Sequence, residues 1–98
     1  MCVYVMTNMN FNDFAHCLAD ERDKRKYDSY YSVNLKLQNI IYTLYFYHSE
    51  ALGWVYQGVA VDTLGYLNYN KLGITTPDYL YEFIHTLHSQ LSSQLKVV

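Results

Sequence analysis

Turn-forming residues are scarce in this 98-residue chain. Pro77 is its single proline, and its four glycines, Gly53, Gly58, Gly65 and Gly73, all lie in the second half. Few, long elements are the expected result, and a glycine-rich phosphate loop is excluded. Charge is scarce as well. Between Ser29 and Val61 the only charged residues are Lys36 and Glu50, and eight of the chain's sixteen charged residues crowd into Asp20–Asp28. That cluster alternates in sign, as a solvated helix end with internal ion pairs does. The net charge of −2 is shared as −1 over residues 1–28 and −1 over residues 29–98. With no basic half to release counterions from phosphates, nucleic-acid binding is not expected.

Cys2 and Cys17 are too few for a disulfide framework. The opening MCVYVMTNM lacks the basic and apolar regions of a secretory signal, so the expected location is cytoplasmic, with reduced thiols. Met6 is an alternative translation start. Long apolar runs are missing too: Gln38, Asn39, His48, Ser49, Gln57 and two glycines interrupt residues 37–61. A membrane span needs about 18 uninterrupted apolar residues, so a membrane partner is not expected.

An apolar content of 51% is ample for a core, and disorder is set aside for most of the chain. The length suits one domain, 1–98, with residues 1–9 as a flexible terminus. Tyr30, Val33, Leu37, Ile40, Leu44, Tyr47, Ala51 and Trp54 recur at steps of three and four, which predicts one amphipathic helix over about 29–57. Strict alternation holds only for Val33, Leu35 and Leu37 before failing at Ile40–Ile41. No glycine or proline between 29 and 52 marks a hairpin.

Local capping signals divide the rest. Asn10 or Asn12 starts a first helix that ends near Lys26, with Asp13 in its first turn. Asp62 opens a short helix through Leu72, closed by Gly73 as its left-handed C′ residue. Thr76 caps the last helix, with Pro77 at its first position. Leu80, Phe83, Ile84, Leu87, Leu91 and Leu95 form the apolar stripe of that helix. The expected fold is therefore all-α, a compact four-helix protein with one long central helix. The alternative is α+β, with a small antiparallel sheet from residues 30–61.

Candidate chemistry is sparse. Glu82, His85 and His88 stand three apart and resemble half of a di-iron carboxylate motif, but no second half exists. His85 and His88 could share a zinc with His48 or His16, yet a packed His88 and an exposed His85 are the simpler reading, and no metal or cofactor is expected. His16 and Asp20 lie one helical turn apart without an accompanying nucleophile, and Cys17 points about 100° away from His16 on a helix. The segment around Gly73 has the form of a helix-turn-helix, but Asp78 and Glu82 at the start of its second helix would repel phosphate.

Twelve tyrosines are the remaining signal. Tyrosine combines large contact area with a hydrogen-bonding tip and concentrates at interface hot spots. The back face of the expected long helix carries Tyr31, Leu35, Tyr42, Tyr45, Phe46 and Tyr56, and Tyr66, Tyr69, Tyr79 and Tyr81 lie nearby. These ten residues are the candidate partner-binding surface, unless neighbouring helices cover them. The expected function is a small, non-enzymatic protein-binding module that occludes a partner's surface, in the manner of inhibitors, immunity proteins or anti-host factors. A homodimeric structural subunit is the alternative, and a metal-dependent enzyme a more distant one.

Overall fold

The computed structural model describes residues 3–24, 29–62, 65–67 and 73–96. In chain order the elements are β1 (Val3–Val5), α1 (Phe11–Asp23), β2 (Ser29–Leu37), β3 (Ile40–Ser49), β4 (Gly53–Val61), β5 (Gly65–Leu67), β6 (Gly73–Ile74) and α2 (Pro77–Lys96). The strands form one mixed sheet in the order β1-β2-β3-β4-β5, with β6 also paired to β4. β1 runs parallel to β2, and the other pairings are antiparallel.

The expected all-α four-helix bundle is overturned. Residues 29–61 are a three-stranded antiparallel meander, the α+β alternative, and among the described residues there are two helices. The buried positions explain why. Tyr31, Val33, Leu35 and Leu37 alternate along β2, and Ile40, Tyr42, Leu44 and Phe46 alternate along β3. The two-residue turn Gln38–Asn39 shifts the alternation from odd to even numbers, because Leu37 pairs with Ile40. The apparent failure of alternation at Ile40–Ile41 is therefore a chain reversal. The three-four spacing was filled by chance in a segment where most residues are apolar. Its members do not share one face: Val33 and Leu44 are buried, whereas Tyr30 is 74% exposed.

The short helix expected from Asp62 to Leu72 is also overturned where it is described, since Gly65–Leu67 pairs with Val59–Val61. Gly73, expected at a helix end, pairs with Tyr56 in β6. The stretch read as a flexible terminus contains β1, whose Tyr4 hydroxyl donates to Glu21 Oε1 of α1 at 2.9 Å.

Both remaining helices start where their caps lie. Asn10 Oδ1 accepts the Asp13 N–H at 2.8 Å, and Asp13 favours the positive end of α1. α1 ends at Asp23, short of the expected Lys26. Pro77 opens α2, and Thr76 Oγ1 accepts the Tyr79 N–H at 3.4 Å.

The helices cover one face of the sheet. Phe14 and Leu18 of α1 and Leu80, Ile84, Leu87 and Leu91 of α2 join the odd positions 31–37 of β2, the even positions 40–46 of β3 and Tyr56, Val59 and Val61 in one core. Tyr56 and Val59 share this face although they are three apart, because a bulge in β4 sets Gln57 aside between them. Burying a dozen such side chains at roughly 1.5–3 kcal/mol each is what holds the helices to the sheet.

Candidate protein-binding face

The other face of the sheet carries no helix among the described residues. Residues in register share a face, so the strand pairings map it row by row. One row crosses Val5, Lys36 and Ile41. The next crosses Val3, Asn34, Thr43 and Ala60. The third holds Ser32 and Tyr45 opposite Gly58, and the fourth holds Tyr30, Tyr47 and Val55. Lys36 is the single charge among these residues.

Aromatic and small polar side chains set the character of this face. Tyr30 and Tyr47 are a cross-strand pair with ring centroids 4.9 Å apart, tilted by 43°. Thr43 Oγ1 donates to Asn34 Oδ1 at 2.7 Å, fixing both side chains in the middle of the sheet. A hollow of about 350 Å³ is lined by Tyr30, Ser32 and Tyr45 of this face together with Gln57 and the core residues Tyr31 and Phe46. Seven large hydrophobic residues are exposed among those described: Val3, Val5, Phe11, Tyr30, Tyr45, Leu52 and Tyr79. Four of them, Val3, Val5, Tyr30 and Tyr45, project from this face. Beyond the Ser29–Val33 half of β2 no further strand is found among the described residues, because β1 pairs only with residues 34–36.

The ten residues expected to form the contact surface are divided by the sheet. Tyr31, Leu35, Tyr42, Phe46 and Tyr56 lie in the core beneath the helices. Tyr45, at 38% exposure, belongs to the open face. Tyr66 lies on β5 in register with Ala60, and Tyr69 falls outside the described residues. Tyr79 is 45% exposed on α2 and stacks on Phe83 at 6.4 Å. Tyr81 is half-buried, packs edge-on against Phe14, and donates to the Met9 carbonyl at 2.9 Å. Tyr30, Ser32, Tyr47, Val3 and Val5 were missed. Their signal was an alternation of Tyr30, Ser32, Asn34 and Lys36 with the apolar Tyr31, Val33, Leu35 and Leu37.

Three ionisable side chains, His88, Tyr42 and Glu21, are held by hydrogen bonds within the fold. Both ring nitrogens of His88 are engaged: Nδ1 lies 2.8 Å from the Tyr42 hydroxyl and Nε2 lies 3.1 Å from Gln38 Oε1. Burial and the neighbouring His85 push the His88 pKa below its ordinary value. Burial, with a smaller effect of Asp62, pushes the Tyr42 phenol up to about 12. His85 packs its ring 4.6 Å from that of Tyr81 and lines a second hollow of about 280 Å³ with Tyr81, Glu82, Thr86 and Ser89. No group of three metal-ligating side chains converges among the described residues. Glu21, buried in α1, accepts from Tyr4 and pairs with Lys24 Nζ at 3.4 Å. Cys17 is free, and burial followed by Asp20, Asp13 and Glu21 raises its thiol pKa, so the reactive thiolate is disfavoured.

The chain matches no family model, no curated protein and no solved structure. Among the described residues, no helix is long and apolar enough to cross a membrane.

Proposed function

We propose that this protein is a small, non-enzymatic binding module that occludes part of another protein's surface with the open face of its sheet, in the cytoplasm. The observation that carries this reading is the gathering of Val3, Val5, Tyr30 and Tyr45, four of the seven large hydrophobic residues exposed among those described, on one face whose described rows carry Lys36 as their single charge. Interface centres are depleted in charge and enriched in tyrosine. Surfaces that combine tyrosine with serine, asparagine and glycine, as in antibody loops, bind protein at low entropic cost. Tyr30, Ser32, Asn34, Tyr45, Tyr47 and Gly58 reproduce that combination on a rigid support. The non-enzymatic part of the reading is supported by the engagement of His88 and Glu21 in structural hydrogen bonds and by the raised pKa of Cys17. Cytoplasmic placement is supported by that free thiol.

A second reading, a homodimer through the same face, is favoured by the uncharged outer edge of β2 at Ser29–Val33, which could pair with its symmetry mate. Sedimentation at micromolar concentration separates the two. The test of the main reading compares the wild type with a Tyr30→Ala/Tyr45→Ala double variant in affinity capture from the native host. A partner retained by the wild type and lost by an equally stable variant supports the open face. Equal capture by both proteins places the contact elsewhere.

A further inference from the structure

His88 joins α2 to two separate parts of the sheet. Because Gln38 offers its Oε1, Nε2 of His88 carries the proton and donates to it. Nδ1 then has a free lone pair and accepts from the Tyr42 hydroxyl. Tyr42 is fully buried as a residue, so its hydroxyl has little freedom to find another acceptor. Gln38 is itself held in an unfavourable conformation, with φ at +57°, and its backbone N–H donates to Thr7 Oγ1 at 2.8 Å. The β2–β3 turn, through Gln38, and β3, through Tyr42, therefore meet at one imidazole of α2, while Thr7 after β1 holds the turn itself.

We propose that this arrangement is an acid-sensitive latch: proton uptake at Nδ1 of His88 removes the lone pair that accepts the Tyr42 hydroxyl hydrogen, so the contact persists only by reversing toward the Tyr42 oxygen with that buried hydrogen left without an acceptor, and the C-terminal half of α2 loosens from β3. The Gln38 contact survives protonation, since Nε2 donates in either state, so the change is confined to the Tyr42 side of the ring. The ionisable groups around His88 are His85, one turn earlier on α2, Tyr42 on β3, and Asp62 at the end of β4, which acts on the Tyr42 phenol. Burial opposes charging of His88, and the neighbouring His85 acts in the same direction. The latch thus stays closed at neutral pH and opens only below the ordinary histidine range near 6.5. It works in the same way whether or not a partner covers the open face.

The test is amide hydrogen exchange of α2 at pH 7 and pH 5, corrected for intrinsic rates, together with an NMR titration of His88. The wild type should show an acid-dependent rise of about two- to tenfold in exchange around residues 88–93, the factor expected for one lost hydrogen bond. Residues 80–84 should change less. His88→Asn, whose amide oxygen can accept from Tyr42 but cannot be protonated, should remove the pH dependence. Tyr42→Phe, which lacks the hydroxyl, should also remove it and should raise the His88 pKa toward 6.5. An acid response that persists in either variant would overturn the latch. So would wild-type exchange that is equal at the two pH values, or a His88 that titrates at or above 6.5, a result available even if neither variant folds.

Discussion

Tyr45 and Phe46 are adjacent, both aromatic, and placed on opposite sides of the sheet. Phe46 is fully buried, stacks on Tyr31 with centroids 5.3 Å apart at 18°, and meets Tyr56 edge-on at 6.0 Å. Replacing a buried phenylalanine with alanine costs about 3–5 kcal/mol through lost transfer energy and the cavity left behind. A domain of this size has a total stability of about 5–15 kcal/mol, so Phe46→Ala removes a large fraction of it. At roughly 4–8 °C per kcal/mol, the melting temperature should fall by about 12–40 °C. Tyr45 is 38% exposed on the open face, and Tyr45→Ala should cost no more than about 1 kcal/mol. Thermal and urea denaturation followed by circular dichroism, with two-state fits, measure both. Comparable losses in the two variants, or a larger loss for Tyr45→Ala, would refute the assignment of faces, because positions 45 and 46 lie on one side only if the segment is not a strand.

Leu44→Ala and Leu87→Ala, one on each side of the sheet–helix contact, should each cost about 2–5 kcal/mol in the same denaturation assay. Gly53 has φ at +78°, and an added Cβ would meet nothing within 4 Å, so Gly53→Ala isolates backbone strain and should cost about 1–2 kcal/mol. Thr76→Ala, which removes the cap of α2, should cost about 0.5–2 kcal/mol, detectable as a lower urea midpoint with an unchanged slope. Burial raises the phenol pKa values of Tyr31 and Tyr42 in the folded state, that of Tyr42 to about 12. Their protonated forms therefore favour folding. That contribution is complete below the ordinary value near 10 and is lost as the pH rises through about 12, so stability measured from pH 9 to 12 should decline. Constancy over that range would contradict the burial of both phenols.

What the sequence made legible was whatever rests on contacts within one turn of chain. The Asn10 cap, Pro77 at the start of α2 and the stripe Leu80, Ile84, Leu87 and Leu91 are all found where the residues imply. The meander was harder to read because its apolar residues satisfy two periods at once. Tyr30, Ile41 and Tyr47 lie on the open face yet count as apolar, which hides the two-residue alternation behind an apparent helical spacing. The candidate face suffered accordingly. A helical reading groups Tyr31, Tyr42, Tyr45, Phe46 and Tyr56, whereas the sheet sends four of these inward and leaves Tyr45 outside with Tyr30 and Tyr47.

The hairpin at Gln38–Asn39 shows why local rules failed at the decisive point. A two-residue turn with a positive φ at its first position ordinarily takes glycine there, and its absence argued for an uninterrupted element. Gln38 adopts φ of +57° at a strain cost of roughly 1–2 kcal/mol. Two long-range hydrogen bonds offset this: Thr7 Oγ1 accepts the Gln38 backbone N–H, and His88 Nε2 bonds its side chain, across sequence separations of 31 and 50 residues. Each such bond contributes about 0.5–1.5 kcal/mol net. The turn is therefore specified by residues distant from it, and glycine at position 38 would relieve the strain while losing the His88 contact. Those opposing effects are similar in size, so Gln38→Gly should leave stability nearly unchanged, whereas Gln38→Ala, which keeps the strain and loses the contact, should be destabilising.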